Sequence, residues 1–418
     1  MLLIYGKGIT GQSTFKLANE LRLNPVIVDD KDYKEELLNN VNEIVVSPGI
    51  PFFNKVFKDA KKRNIPIIGE IEFAYRYFKG DVIAITGTDG KSTTTKLIHT
   101  VLGEDTSQIG GNYGIPFSEL VLKDSKKTAI LELSSFQIYS TKNFKPNIAV
   151  FLNLSTDHLD WHKKFCHYKL SKYKLFRNMS QNDIAILNYD DINVRNVPTG
   201  AVKYFFSLEK LPDNLNGIYL RNNRLILKIF KKEVYFDVSD INLKGIHNIQ
   251  NIMATVLVGY LKGIENTVIE DRIRKFKPLP YRMEVIGEIN GITFINDAKS
   301  TTTQAVEKAI TSYKDKNILL IVGGINKGGD FTRLKKFKNI RAVFIIGKDK
   351  EEIFNSLYGS YPLYKFETLE DAVKNAFSFA SKGDIILFSP GCASFDMFKN
   401  YKDRGEKFNK IFEELKNA

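Results

Sequence analysis

The stretch DVIAITGTDGKSTTTKLIHTVL, residues 81–102, decides the fold of this chain. It runs from an apolar strand pattern through a glycine-rich loop into a helical pattern. Glycines let backbone N–H groups approach phosphate oxygens, and the N-terminus of the following helix adds positive partial charge. The stretch therefore predicts a phosphate-binding loop made of Gly87, Thr88, Asp89, Gly90, Lys91, Ser92 and Thr93.

Three side chains suit a nucleoside triphosphate with its magnesium ion. Lys91 is placed to reach the β- and γ-phosphates, and the Ser92 hydroxyl to bind Mg²⁺. Glu132 ends the apolar stretch TAILEL, and a carboxylate at a strand end beside a phosphate loop suits magnesium. Taken alone, Glu132 is equally consistent with a surface acid or a helix cap. Ile85 stands at the first glycine position of the G-x-x-x-x-G-K-[ST] pattern, so the loop is a variant of it.

Strand and helix patterns alternate along the chain, which favours an α/β fold with parallel sheets. Breaks at Gly80-Asp81 and in the proline-containing stretch KPLPYR predict three domains. Residues 1–80 are predicted to form a Rossmann-like N-terminal domain. Residues 81–280 are predicted to form a central nucleotide-binding domain of the P-loop type, and residues 281–418 a Rossmann-like C-terminal domain.

The first domain carries a second glycine-rich loop, GKGITG at residues 6–11, which matches G-x-G-x-x-G after a strand. Asp29 and Asp30 end the next strand pattern, so the region also fits a dinucleotide fingerprint and an NAD-dependent oxidoreductase. That alternative leaves the loop at 87–93 unexplained. The same physics suits any nucleotide that carries a diphosphate, so the two loops could hold two different nucleotides.

Three loops of the last domain also follow apolar strand patterns: NDAKST at 296–301, GGINKGG at 323–329 and SPGCAS at 389–394. Ligands of α/β sheets bind at the carboxyl ends of the strands. Lysines and hydroxyl groups there favour an anion, although turn chemistry alone explains the glycines and prolines.

The stretch NLSTDHLDWH, residues 153–162, places His158 and His162 four residues apart, a spacing that can put both on one helical face. It lacks the glutamate of H-E-x-x-H, which argues against a zinc protease. A lone histidine is more often a hydrogen-bonded structural residue. Beside a phosphate site, however, His158 is a credible metal ligand.

Composition narrows the function classes. The chain has 61 Lys and Arg against 48 Asp and Glu, a net charge of +13, but the charges are mixed along the chain, so we expect no nucleic-acid partner. No apolar run approaches the ~18 residues of a membrane span, so we expect no membrane insertion. With only Cys166 and Cys392, no disulfide framework is predicted, and we expect a cytoplasmic location.

Together these motifs resemble the Mur ligases of bacterial cell-wall synthesis, over essentially the whole chain. The resemblance is carried by GKGITG, SPGIP, GTDGKST, GGNYGIP, LELSSFQ, NLSTDHLDWH, HYKLSKYKLF, GIHNIQN, LPYRME, NDAKSTTTQA, GGINKGGDF and SPGCASFDMFKNYKDRG. LELSSFQ and the last stretch resemble the member that adds D-glutamate. The resemblance implies a monomer that uses ATP to join D-glutamate to UDP-N-acetylmuramoyl-L-alanine through an acyl phosphate, releasing ADP and phosphate.

The resemblance also implies residue roles. Two Mg²⁺ ions, with Mn²⁺ as a substitute, would be held by Ser92, Glu132, His158 and by Lys172 as a carbamate. The catalytic set would be Lys91, Glu132, His158 and Lys172. The UDP substrate would contact Gly8, Thr10, Gly11, Asp29 and Asn112. ATP would contact the loop at 87–93 together with Asn251, Arg282 and Asp297. D-Glutamate would contact Lys299, Thr301, Lys327, Ser394, Phe395 and Tyr401.

The chain departs from the family pattern at Asp89, where asparagine is common, and at Tyr281, often histidine; Asp30 and Lys31 also differ from frequent choices. We expect the Asp89 carboxylate to point away from the phosphates or toward a cation. The alternatives are a sibling ligase that adds another amino acid, a folylpolyglutamate synthase, the oxidoreductase above, and a nucleotide-binding scaffold without enzymatic activity.

Overall fold

A computed structural model describes residues 1–237, 241, 243 and 245–417, with the backbone alone at 159 and 160. The chain divides into two compact units. The first comprises Met1–Asn242 and His247–Phe276, and the second comprises Leu243–Ile246 and Lys277–Ala418. None of the helices in the described ranges is long and apolar enough to cross a membrane.

Residues 1–80, all of them described, form a parallel sheet of four strands in the order β2-β1-β3-β4. The strands are β1 (Leu2–Tyr5), β2 (Pro25–Val28), β3 (Glu43–Val46) and β4 (Ile67–Gly69). The helices are α1 (Ile9–Glu20), α2 (Lys55–Lys62), α3 (Glu70–Tyr75) and a 3₁₀ turn at Glu35–Asn40.

Among the described residues of the central region, nine strands form a second sheet in the order β13-β12-β11-β10-β9-β8-β5-β7-β6. β12 pairs antiparallel with both of its neighbours, β11 and β13, and all other neighbouring strands are parallel. The strands are β5 (Val82–Thr86), β6 (Ser107–Gly111), β7 (Thr128–Glu132), β8 (Ile148–Phe151), β9 (Ile184–Asn188), β10 (Val202–Ser207), β11 (Gly217–Arg221), β12 (Arg224–Ile229) and β13 (Lys232–Asp237). The helices are α4 (Lys91–Leu102), α5 (Phe117–Asp124), α6 (Ser135–Tyr139), α7 (Leu159–His162), α8 (Phe165–Tyr173), a 3₁₀ turn at Lys174–Phe176, α9 (Ile192–Arg195), α10 (Ile246–Leu261) and α11 (Asn266–Arg274).

The second unit has a sheet of six strands, counted over the fully described range 277–417, in the order β14-β15-β19-β16-β17-β18. Only β14 runs antiparallel to its neighbour. The strands are β14 (Glu284–Ile289), β15 (Ile292–Asn296), β16 (Ile318–Gly323), β17 (Ile340–Ile346), β18 (Leu363–Lys365) and β19 (Ile385–Phe388). The helices are α12 (Thr303–Thr311), a 3₁₀ turn at Phe331–Lys336, α13 (Lys350–Leu357), α14 (Leu369–Phe379) and α15 (Tyr401–Lys416).

The α/β prediction is confirmed, and the reason lies in burial. Strands of a parallel sheet covered on both faces read as continuous apolar runs, and β5 and β8 are buried along their whole length. Because β5 lies between β7 and β8, with Ile85 opposite Glu132 and Thr86 opposite Phe151, the carboxyl ends of these three strands meet at one edge.

The first two sheets share one unit and one hydrophobic core, to which both contribute, for example through Ile4 and Leu131. Two buried glutamates of α3 connect them by hydrogen bonds. Glu72 accepts hydrogen bonds from the backbone N–H groups of residues 142–144 at 2.8–3.0 Å. Glu70 accepts one from Ser118 N at 2.6 Å. Each predicted domain range contains one sheet, but the division into three domains stays a prediction.

Candidate active site

The loop between β5 and α4 has the backbone shape that a phosphate-binding loop needs. Gly90, the residue before α4, is in the left-handed conformation with φ 80°. A Cβ at Gly90 would lie 2.4 Å from Asn251 Oδ1. Glycine at this position therefore allows both the left-handed turn and the close approach of α10. Asn251, which is predicted to contact ATP, lies against the loop.

Asn153, the second residue after β8, holds this loop in place. Its Oδ1 accepts hydrogen bonds from Thr88 N at 3.1 Å and Asp89 N at 2.9 Å, and its Nδ2 donates to Asp89 O at 3.2 Å. The predicted site did not include Asn153. An asparagine just after a strand was visible in the sequence, but only the pairing of β8 with β5 reveals that it faces the loop.

The Thr88 side chain turns toward the segment after β8. Its Oγ1 donates to Ser155 O at 3.1 Å, accepts from Ser155 N at 3.0 Å and lies 3.2 Å from the Tyr168 hydroxyl. These contacts with the segment after β8 hold Thr88 in place, so the phosphate loop is pre-organised for a ligand.

Lys91 folds over the loop. Its Nζ donates to Gly87 O at 2.9 Å and to Thr88 O at 2.8 Å. A cation held on these two carbonyl groups can reach a phosphate bound at the loop by exchanging them for phosphate oxygens.

Ser92 and Glu132 meet beside the loop, as the strand order requires. Ser92 Oγ donates to Glu132 Oε2 at 2.5 Å, and Asn112 Nδ2 donates to Glu132 Oε1 at 2.6 Å. The Glu132 side chain is 2% exposed. Each oxygen of this buried carboxylate accepts a hydrogen bond, and the carboxylate and the Ser92 hydroxyl are oxygen donors of the kind that could hold a divalent cation.

Lys172 on α8 lies under the same loop. Its Nζ donates to Gly87 O at 2.8 Å and to Thr86 Oγ1 at 3.2 Å, and its residue exposure is 1%. Burial, and next the positive charge of Lys91, hold the pKa of Lys172 well below its ordinary value. This environment favours the neutral amine.

The two histidines do not share a helical face, so the spacing argument was wrong. His158 has φ 53° and precedes α7, while His162 ends that helix. His162 is buried, with Nε2 2.9 Å from Ser135 Oγ and Nδ1 3.4 Å from Ser171 Oγ. His158 is more exposed, with Nε2 3.4 Å from Asp157 Oδ2. Its metal role stays a prediction. Within the part of the chain that the structure describes, no group of three or more His, Cys, Asp or Glu side chains is placed to hold a metal ion.

The GKGITG loop lies at the carboxyl edge of the first sheet, in the same unit. A Cβ at Gly11 would lie 1.7 Å from Gly6 O, so only glycine lets α1 start this close to β1. Gly8 borders an open cleft of about 660 Å³ between α1 and α5. Lys7, Lys16, Lys123 and Glu119 also line this cleft, and Lys7 forms an ion pair with Asp32. The excess of lysines over acids in the lining suits an anionic ligand.

In the second unit, the three predicted anion loops follow the adjacent strands β15, β19 and β16. Arg404, 1% exposed, links two of them by donating to Ala298 O at 2.8 Å and Cys392 O at 3.1 Å. Burial lowers the pKa of Arg404 to about 10. Arg404 was not among the predicted site residues, because nothing in its helical context distinguishes it from a surface arginine.

Other predicted residues of this unit lie on or beside the same loops. Burial raises the pKa of Asp297 to about 7, although Ser389 Oγ donates to it at 2.8 Å. Lys299 Nζ lies 4.1 Å from the centre of the Tyr401 ring. Ser394 is buried, and Phe395 is exposed. The remaining predicted residues of the unit are Arg282, Thr301 and Lys327, of which Thr301 and Lys327 are exposed.

Comparison with known proteins decides the family. Residues 85–259 match the Mur ligase middle domain, and residues 281–392 match the Mur ligase, glutamate ligase domain. The UDP-N-acetylmuramoylalanine--D-glutamate ligase of Hydrogenobaculum sp. (strain Y04AAS1) is 43% identical over 98% of this chain and 98% of its own length. This chain belongs to the Mur ligase family.

Further Mur ligases agree with this assignment. The UDP-N-acetylmuramoylalanine--D-glutamate ligase of Aquifex aeolicus (strain VF5) is 39% identical, with 98% of each chain covered. Among solved structures, the MurF ligase of Thermotoga maritima in complex with ADP has a TM-score of 0.66 at 19% identity, covering 100% of this chain and 95% of its own. MurC of Thermotoga maritima has a TM-score of 0.63 at 16% identity, with 99% of each chain covered. These structures show that the Mur ligase fold extends over the whole chain.

Proposed function

We propose that this chain is an ATP-dependent ligase that joins D-glutamate to UDP-N-acetylmuramoyl-L-alanine, with release of ADP and phosphate. The observation that carries the proposal is the meeting of Lys91, Ser92, Glu132 and Lys172 around one phosphate loop. Full-length identity of 43% and 39% to two ligases of that name selects the substrates.

The reaction must bring two anions together. The alanyl carboxylate of the acceptor attacks the γ-phosphorus, the bond to the bridging oxygen breaks, and ADP leaves. The amine of D-glutamate then attacks the acyl carbon, loses a proton and displaces phosphate, which leaves an amide. Lys91 and the loop N–H groups supply fixed positive charge for the first step, and Gly87–Thr93 with Asn251 hold ATP.

Magnesium fits the donors that are present. Ser92 Oγ and Glu132 Oε2 are hard oxygen ligands on adjacent elements, and we assign them to one ion. We assign His158 and Lys172, as its carbamate, to a second ion, with manganese as a substitute. When bound, the ions neutralise the triphosphate charge and polarise the γ-phosphate.

Carbamylation of Lys172 would turn a cation into a metal-directed anion. The neutral amine attacks carbon dioxide, a nitrogen–carbon bond forms, and one proton is released to solvent. The buried position of Lys172 supports this step, since burial favours the neutral amine. We expect a ¹³C carbamate signal after labelling with ¹³C-bicarbonate. Lys172→Ala should lose the signal and most activity, with partial rescue by formate, whereas Lys169→Ala on the same helix should keep both.

The acceptor and D-glutamate are assigned to separate parts of the chain. We place the UDP substrate at Gly8, Thr10, Gly11 and Asp29, with Asn112 toward its reacting end. Of these residues Gly8 lines the cleft of about 660 Å³, where three lysines and one glutamate support an anionic ligand. We place D-glutamate at the loops of the second unit, at Lys299, Thr301, Lys327, Ser394, Phe395 and Tyr401, with Arg282 and Asp297 beside adenosine. The three domain ranges 1–80, 81–280 and 281–418 belong to this proposal, as do a monomeric state and a cytoplasmic location.

Phosphate release from ATP, with each substrate omitted in turn, tests the function. Release that needs both UDP-N-acetylmuramoyl-L-alanine and D-glutamate supports it, and Lys91→Met should abolish that release. A requirement for a different amino acid indicates a sibling ligase, and a requirement for a folate indicates a folylpolyglutamate synthase. Equal release without any amino acid indicates a simple ATPase, and a change in NADH absorbance revives the oxidoreductase.

A further inference from the structure

A row of aromatic rings connects the loop after β3 with the segment that carries His158. Phe52, in that loop, meets Trp161 edge-on, with ring centres 5.3 Å apart. Trp161 packs edge-on against Phe136 at 5.0 Å, and Phe136 packs against His158 at 4.8 Å. The ring contacts are therefore continuous from the first sheet's loop to the predicted metal ligand, all within the first unit.

A second branch of the row reaches the phosphate loop. His162 stacks on Phe136 with ring centres 5.5 Å apart and planes 7° from parallel. His162 also lies 5.3 Å from the Tyr168 ring, whose hydroxyl is 3.2 Å from Thr88 Oγ1. A displacement of Trp161 would therefore disturb both His158 and the loop that binds the triphosphate.

The loop that carries Phe52 also contacts the segments predicted to bind the UDP acceptor. At its start, Ser47 Oγ donates to Gly6 O in the GKGITG loop at 3.4 Å. At its end, Asn54 Nδ2 donates to Asp30 Oδ1 at 2.8 Å, next to Asp29. A ligand that orders GKGITG and Asp29 would thus fix the loop on both sides of Phe52.

The contact between Phe52 and Trp161 depends on the rings themselves. Trp161 Nε1 is buried and forms no hydrogen bond with any described residue. Phe52 remains 40% exposed, so its ring is not held there by full burial. A phenyl ring at 161 can therefore keep the edge-to-face contact, whereas a methyl group cannot.

We propose that Phe52 and Trp161 are positioning residues that couple the acceptor-binding loops to His158 and the phosphate loop, so that the UDP acceptor and the nucleotide bind with mutual dependence. This inference rests on the proposed function. An acceptor that fixes the loop holds Trp161, and Trp161 holds the groups around the triphosphate. By linkage, each ligand then raises the affinity of the other by the same factor.

Calorimetry on the full-length protein measures this factor as the ratio of ADP dissociation constants, in Mg²⁺, without and with UDP-N-acetylmuramoyl-L-alanine. We expect a factor of about fivefold or more for the wild type, the lower end of typical allosteric coupling. Trp161→Phe should retain it, whereas Phe52→Ala and Trp161→Ala should reduce it to within about twofold of one. Phe230→Ala, at a turn where the ring is 77% exposed, is the matched control and should retain it.

Measurements on the wild type also distinguish failure of the proposed function from failure of the proposed coupling. If phosphate release does not require both substrates, the proposed function fails; if release requires both but the wild-type factor is one, the coupling alone is overturned. An unchanged factor in Phe52→Ala, or equal loss in Phe52→Ala and Phe230→Ala, also overturns the coupling. Trp161 is the only tryptophan of the chain, so its emission reports whether Phe52→Ala exposes the indole, as the contact requires.

Discussion

Replacing Gly90 with alanine tests the close approach between the phosphate loop and α10. Gly90 has φ 80°, and an added Cβ would lie 2.4 Å from Asn251 Oδ1. Asn251 cannot move away without cost, because it is 3% exposed and its Nδ2 donates to Asn248 Oδ1 at 3.1 Å. Either this hydrogen bond breaks or the loop shifts.

The magnitude follows from two contributions. An L-residue in the left-handed conformation costs about 1–2 kcal/mol, and losing the Asn251 hydrogen bond costs about 0.5–1.5 kcal/mol. Gly263 is the matched control, since it has φ 76° and nothing within 4 Å of an added Cβ. Gly263→Ala should therefore show the backbone cost alone. We expect about 1 kcal/mol of the added strain at Gly90 to act on the loop, which corresponds to roughly fivefold weaker ATP binding.

Titration calorimetry with Mg-ATP and thermal unfolding of both variants provide the measurement. We expect Gly263→Ala to be less stable while its ATP dissociation constant stays within about twofold of the wild-type value. Gly90→Ala should be less stable still and should bind ATP roughly fivefold more weakly. The reasoning is refuted if Gly90→Ala binds ATP as the wild type does.

Three other variants test separate parts of the molecule. Burial raises the pKa of Glu70 to about 7, so the stability carried by its neutral carboxyl group is lost as the pH rises from about 4.5 through 7. Glutamine at this position stays neutral. The free energy of unfolding of Glu70→Gln, measured with denaturant, should therefore grow relative to that of the wild type by about 3 kcal/mol between pH 5 and 8. Asn153→Ala removes the side-chain bonds that hold Asp89 N and Asp89 O, while Thr88 N keeps the Asn153 carbonyl as an acceptor. It should raise the KM for ATP about tenfold, measured by phosphate release, whereas an unchanged KM would contradict the assigned role. Arg404→Met frees the carbonyl groups of Ala298 and Cys392 and should raise the KM for D-glutamate more than the KM for ATP; equal effects would indicate general destabilisation.

The elements that the sequence predicted well are those whose local pattern suffices. Buried parallel strands such as β5 and β8 are continuous apolar runs, and the loop before Lys91 has its own glycine signature. β6, with the sequence SQIGG, has no such run, so no local pattern predicts it. It is a strand because it pairs with β7, a contact that no local pattern encodes.

The parts of the site that were missed depend on contacts between distant segments. Asn153 lies 65 residues after Thr88 and reaches it only because β8 neighbours β5. Arg404 donates hydrogen bonds to Cys392, 12 residues before it, and to Ala298, 106 residues before it. The histidine spacing was misleading because it assumed that both histidines lie in one helix, whereas α7 begins at Leu159, one residue after His158.

The Glu72 carboxylate also bears on whether the ATP-binding region could fold as a separate fragment. A fragment beginning after Gly80 would lack the acceptor of three consecutive peptide N–H groups at residues 142–144. It would also expose apolar side chains that now share a core with the first sheet. The nucleotide-binding region therefore depends on residues 1–80, and a fragment meant to fold by itself has to include them.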